Sequence, residues 1–212
     1  VMGPTRNGKT KSSKKKDTEK EKLIGSLVFT FSPHESRVII DDIDANGGIM
    51  LVPQGISAED AVFLPSVETA LSLVHDASPM CGETVAVIGQ GLIGLLVIKL
   101  LKRHCGVRET MSCDLSPCRR ALSKLAGSKY ALSPDEFYMY SHQQIGTTER
   151  PDIIIEVSGH PSGLQTAIDN TRFGGKIILG SWYGDKAISS LVLGLPFHRS
   201  HIQLITSQVS DI

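Results

Sequence analysis

The chain has 212 residues, 41% hydrophobic and 21% charged, which is enough for one full domain and part of another. Its 22 basic and 22 acidic side chains cancel, so net charge names no polyanionic partner, and nucleic acid is not expected as a ligand. No apolar run approaches the ~20 residues of a membrane helix and no apolar secretory segment opens the chain. Cys81, Cys105, Cys113 and Cys118 include no C-x-x-C pair and so read as free thiols. A cytoplasmic protein without a membrane partner is therefore expected.

Residues 1–22 form a basic tail. Arg6, Lys9, Lys11, Lys14, Lys15, Lys16, Lys20 and Lys22 outnumber Asp17, Glu19 and Glu21, and apolar residues are almost lacking. Such a segment is expected to be disordered, whether as a solvated tail, a nuclear signal or a nucleic-acid arm. From Leu23 the texture changes. Ser26–Phe31 and Arg37–Ile40 read as two strands turning through Ser32, Pro33 and His34, and Asn46-Gly47-Gly48 reads as a loop. A helix is expected from Ser57, as N-cap with Asp60 three residues on, through the apolar period to Val74, broken or kinked at Pro65.

After Pro79 strands and helices alternate. Strands are expected at Thr84–Ile88, Glu109–Cys113, Asp152–Val157 and Lys176–Gly180. Helices are expected at Leu92–Arg103, Arg119–Leu125 and near Ser162–Asn170. The strands are apolar without alternation, as in parallel sheets covered on both faces, and the order argues for a doubly wound α/β sheet.

The chemistry-bearing motif is Gly89-Gln90-Gly91-Leu92-Ile93-Gly94. A lone G-x-G-x-x-G is weak, but here a strand leads into Gly89 and a helix opens within the motif. Gly89 suits the tight turn, Gly91 lets the backbone approach a pyrophosphate, and Gly94 lets the helix pack on the strand. The helix start offers unpaired N–H groups to phosphate. Asp114 follows Gly94 by 20 residues, where a carboxylate accepts bonds from the adenosine ribose and repels a 2′-phosphate. NAD is therefore expected over NADP, with Arg119 within reach of the ribose or a phosphate. S-adenosylmethionine enzymes share the glycine turn and the acid, but they usually carry an acidic residue before the glycines, where this chain has Ile88.

Three stretches together resemble the medium-chain dehydrogenase/reductase family, the zinc alcohol dehydrogenase-like proteins. They are Gly82–Gly94, then Asp114–Arg119 with Ala121 and Ala126-Gly127, then Asp152–Gly159 with Gly174–Gly180. Ala61–Pro65 with Glu68–Leu71 resembles that family's hinge into the cofactor domain. Trp182-Tyr183-Gly184, Phe197–Ser200 and Ser207–Ser210 resemble its branch related to bacteriochlorophyllide and threonine dehydrogenases. The likeness spans about residues 25–212 and implies a Rossmann domain over 56–212, C-terminally incomplete. A remnant of a GroES-like β-barrel domain over 23–55 would precede it, after the disordered basic tail.

It further implies that Val157, Ser158 and Gly159 line the ribose side of a dinucleotide cleft, and that Leu179, Gly180 and Ser181 approach the nicotinamide. The implied reaction is hydride transfer between an alcohol or carbonyl substrate and the nicotinamide, and pairing of two copies through the cofactor-domain edge strand. The departures weigh as much. The Cys and Gly-His-Glu segment that carries zinc ligands in the family is absent, the structural zinc loop is missing, and Glu68 is the nearest candidate ligand in the hinge. The seven histidines form no ligand set; His198 and His201, three apart, could share only one helix face. No metal and no catalytic residue is therefore assigned. A dinucleotide-binding module without its own turnover stands as the alternative to an oxidoreductase.

Overall fold

In a computed structural model, residues 23–33, 35–40, 48–143, 150–184 and 191–209 are described. The basic tail lies outside them. Contacts divide the chain into two compact units meeting between Leu64 and Pro65.

In the first unit, β1 (Val28–Phe29) pairs antiparallel with β2 (Met50–Leu51), Val28 opposite Leu51. The expected hairpin between 26–31 and 37–40 is not formed. Val38 and Ile39 stand exposed and unpaired, and the edge of β1 is taken by β2 instead, the backbone of Leu27 accepting from Val52. A short helix α1 (Ala58–Ala61) follows, with Ser57 as N-cap accepting the Asp60 N–H. Of the break or kink expected near Pro65, the structure has a break, which falls at Val62 and Phe63, just before the proline. Pro65 sits in the first turn of α2 (Leu64–Ala77), where its missing N–H would have had no helical partner.

The second unit is built on a six-stranded sheet, wholly parallel in its pairings. Its strands are β3 (Thr84–Ile88), β4 (Glu109–Cys113), β5 (Tyr130–Leu132), β6 (Ile153–Glu156), β7 (Lys176–Leu179) and β8 (Gln203–Thr206), in the order β5-β4-β3-β6-β7-β8. Between them run α3 (Leu92–His104), α4 (Pro117–Ala126), α5 (Pro134–Gln143), α6 (Pro161–Asn170) and a π-helical turn at 194–199. This is a Rossmann-type doubly wound sheet.

Side-chain alternation along the strands feeds two cores. Val85, Val87, Ile153, Ile155 and Ile178 pack with Leu73, Val74, Val97, Ile98 and Leu101 of α2 and α3. Ala86, Ile88, Ile154 and Ile177 pack with Phe137, Leu164 and Ile168 of α5 and α6. Because both faces are covered, every residue of β3 and β6 is buried, which explains why these strands read as continuous apolar runs. Each such isoleucine contributes roughly 1.5–3 kcal/mol by leaving water. The strands are parallel, so the segments after β3, β4, β6 and β7 all emerge at the carboxyl end of the sheet. The strand order reverses between β3 and β6, the first half running outward from β3 to β5 and the second from β6 to β8, which opens the crevice there.

Candidate functional site

Gly89 leaves β3 with φ of +93°, a left-handed backbone, and its N–H donates to the Cys113 carbonyl. A Cβ at Gly89 would lie 2.6 Å from the Ser158 Cα, so the turn is pressed against the loop that follows β6. Gly94, in the first turn of α3, would place a Cβ 1.9 Å from the Gly89 carbonyl oxygen. Helix and strand thus meet with no room for a side chain. At Gly91 an added Cβ would meet nothing within 4 Å. Gly91 is also the N-cap of α3 and supplies no capping side chain, so the first helical N–H groups and the positive end of the helix face that open space.

Asp114 follows β4 and is almost wholly buried. Its Oδ2 accepts the Gln90 N–H at 2.7 Å and its Oδ1 accepts the Ser116 N–H at 2.8 Å. The Arg119 guanidinium stands 4.0 Å from Oδ2 on an exposed side chain, so the pair contributes little to stability. Arg120 donates to the carbonyls of Asp114 and Leu115 and fixes the turn into α4, whose N-cap is Ser116.

The motif's other side chains turn away from the crevice. Gln90 is fully buried, donates from Nε2 to the Val87 carbonyl and leaves Oε1 without a partner. Ile93 packs on the core beneath α3, whereas Leu92 is exposed. Gln90 and Ile93 therefore offer only backbone to a ligand. Next to the site, burial first, with the Asp114 charge behind it, pushes the Cys113 thiol up to about 12.

Across the crevice, the Gly159 N–H donates to Ser181 Oγ at 2.8 Å and ties the β6 loop to the β7 loop. A Cβ at Gly180 would meet Leu73 and Val157 side chains, at 2.5 and 3.1 Å. The structure thus gathers Gly89, Gly91, Gly94, Asp114, Val157, Ser158, Gly159, Gly180 and Ser181 at the carboxyl end of the sheet. Two residues to which the sequence assigned no site role join them. Glu156, the last residue of β6, is fully buried, and Tyr183 donates its hydroxyl to Glu156 Oε2 at 2.7 Å. Burial, then that bond to Glu156, raises the Tyr183 hydroxyl well above its ordinary pKa. An acid closing an otherwise apolar strand was the only available signal.

His198 and His201, which their spacing would allow on one helix face, do not share one. His198 lies in the π-helical turn, while His201 falls beyond it with φ of +51° and packs on the Phe173 ring. Glu68 is a half-buried residue of α2. A catalytic zinc needs three converging donors, and among the described residues no group of three or more His, Cys, Asp or Glu side chains stands together. Among them, too, no helix is long and apolar enough to cross a membrane.

A family model described as zinc-binding dehydrogenase matches residues 93–211. The D-guloside 3-dehydrogenase of Escherichia coli (strain K12) is 31% identical over 155 residues, 73% of this chain and 44% of that protein. The L-threonine 3-dehydrogenase of Saccharopolyspora erythraea is 34% identical over 146 residues, 67% of this chain and 37% of that protein. Among solved structures, one described as a short chain alcohol dehydrogenase from Escherichia coli CFT073, complexed with NADH, superposes with a TM-score of 0.66. It is 21% identical and covers 76% of this chain and 47% of its own. The chain spans less than half the length of each of these relatives.

Proposed function

Because the chain belongs to the zinc-binding dehydrogenase family, we propose that it carries the dinucleotide-holding part of a nicotinamide-dependent oxidoreductase that interconverts an alcohol and a carbonyl compound. The observation that carries this reading is the open, uncapped start of α3 at Gly91, flanked by the Gly89–Gly94 contact and by Asp114. A pyrophosphate is a dianion that needs close backbone approach, and the helix start supplies both N–H donors and positive potential.

In this reading the amides of Leu92, Ile93 and Gly94 hold the pyrophosphate. Asp114 receives the adenosine ribose hydroxyls on lone pairs not taken by Gln90 and Ser116, and Arg119 covers the adenine side. Val157, Ser158 and Gly159 line the ribose face, with Gly180 and Ser181 beside the nicotinamide. When bound, the nicotinamide gives or takes the hydride. The chain's own part is to orient it and to exclude water from one face. A buried carboxylate at the ribose position disfavours a 2′-phosphate, which supports NAD over NADP.

A second reading, a binding module without turnover by these residues alone, is favoured by one observation. Among the described residues no three His, Cys, Asp or Glu side chains stand together as a metal set. Titration of NADH and NADPH against the emission of Trp182, the single tryptophan, tests the proposal. NADH is expected to bind more tightly; tighter NADPH binding refutes the role of Asp114, and binding of neither refutes the cofactor reading. Turnover of a secondary alcohol with NAD by this chain would remove the module reading.

A further inference from the structure

The dinucleotide reading leaves one buried acid without a task. Glu156 closes β6 at the centre of the sheet, its backbone paired with Ile88 on one side and Leu179 on the other. It is 0% exposed. A carboxylate so placed is costly unless its oxygens are bonded. They are. Oε1 accepts the Ser158 N–H at 2.8 Å and the Ser158 hydroxyl, and Oε2 accepts the Tyr183 hydroxyl. The first turn of α6 leaves room for it. A Cβ on Gly163 would stand 2.5 Å from Oε1 and 2.3 Å from Ser158 Oγ. The negative charge also lies beside the positive end of that 10-residue helix.

Ser158 is the residue against which Gly89 is pressed, and the neighbouring Gly159 N–H reaches Ser181. Tyr183 belongs to the segment after β7. One carboxylate therefore joins the loop after β6 to the loop after β7. We propose that Glu156 is a positioning residue that clamps these two loops and holds the nicotinamide half of the crevice in the shape that receives a dinucleotide, without touching it. This rests on the dinucleotide reading above.

The clamp distinguishes the two halves of the cofactor. The adenosine half meets Asp114 and the start of α3, which Glu156 does not touch, whereas the nicotinamide half meets the clamped loops. Trp182, next to Tyr183 and 85% exposed, reports the order of the β7 loop. The test compares the wild-type chain with Glu156→Gln, Tyr183→Phe and the double variant. It reads Trp182 anisotropy without ligand and calorimetric affinities for NADH and for ADP-ribose, which lacks the nicotinamide.

Tyr183→Phe is expected to lower the anisotropy and weaken NADH about fivefold to tenfold, as loss of one charge-assisted bond does, and Glu156→Gln at least as much, with ADP-ribose changed by less than about twofold in either. The double variant is expected to weaken NADH no further than Glu156→Gln alone, because the bond that Tyr183→Phe removes is already disrupted there. Equal loss of NADH and ADP-ribose, or unchanged anisotropy and NADH affinity in Tyr183→Phe, overturns the clamp. Should Glu156→Gln fail to fold, Tyr183→Phe decides alone, since it keeps the ring and removes only the hydroxyl. Wild-type chain that binds neither ligand overturns the dinucleotide reading itself; wild-type chain that binds both, with Tyr183→Phe identical to it, overturns the clamp only.

Discussion

Asp114 Oδ2 accepts the backbone N–H of Gln90 at 2.7 Å, so the end of β4 holds the middle of the glycine turn at the end of β3. One side chain thereby both shapes the loop and presents acceptors to the crevice. Asp114→Ala leaves the Gln90 and Ser116 amides without partners. Unfolding stability in urea is expected to drop by about 1–3 kcal/mol, and NADH affinity to fall with it. Unchanged urea midpoint and unchanged affinity would show that neither bond matters.

Gly91 and Gly94 are expected to fail differently. A methyl group at Gly94 collides with the Gly89 carbonyl oxygen, a backbone atom, so Gly94→Ala should lower the melting temperature by several degrees. Gly91→Ala meets no protein atom and should melt close to wild type, yet bind NADH about tenfold more weakly, because its methyl group enters the space assigned to pyrophosphate. Wild-type NADH affinity in a well-folded Gly91→Ala chain would remove pyrophosphate from that space.

Cofactor choice is expected to turn on the charge balance beside α4. Asp114→Ser removes the repulsion and leaves the exposed Arg119 nearby. NADPH should gain relative to NADH by about tenfold or more in titrations of the variant. If the ratio stays at its wild-type value, the ribose hydroxyls do not meet residue 114.

The thiols give a test that needs no ligand. Cys81 and Cys118 are exposed and Cys113 is buried. With a disulfide reagent at pH 8, the first two should react at once and Cys113 only as the chain unfolds. The folded Cys113 thiol holds its proton more tightly than the unfolded one. Its contribution to stability is therefore complete below about 9 and is lost as the pH rises from 9.0 toward about 12. The loss should reach at most about 1.4 kcal/mol per pH unit. Stability that climbs across that window, or that falls just as steeply in a folded Cys113→Ala variant, would contradict this.

What could be read from the residues was what local spacing dictates. The glycines at 89, 91 and 94 must sit between a buried strand and a helix, and Asp114 must follow the next strand, so these positions were legible. The unseen parts depend on partners distant in sequence. Tyr130–Leu132 is too short to show a period, and β8 lies at the sheet margin with mostly exposed side chains. The helix α5 did carry a usable sign. Ser133 Oγ accepts the Glu136 N–H while the Glu136 carboxylate accepts the Ser133 N–H, a capping box written as Ser133-Pro134-Asp135-Glu136. Those bonds hold the Glu136 carboxyl below its ordinary pKa. The misplaced hairpin had the opposite cause, since an apolar run such as Val38–Ile40 reveals no partner. Glu156 could be seen as an acid ending an apolar strand, but its bond to Tyr183 spans 27 residues of sequence.

The central pairing of β3 with β6 has a kinetic meaning. It brings Thr84 to Asp152, 68 residues apart, while β3-β4-β5 and β6-β7-β8 are each joined by nearer neighbours in sequence. Closing so long a loop is entropically the last step to be repaid. The two halves are therefore expected to gain structure separately and to dock late along this seam. Substitutions such as Ile154→Val should then speed unfolding far more than they slow refolding in stopped-flow measurements, and a mainly slowed refolding limb would place the seam in the nucleus instead.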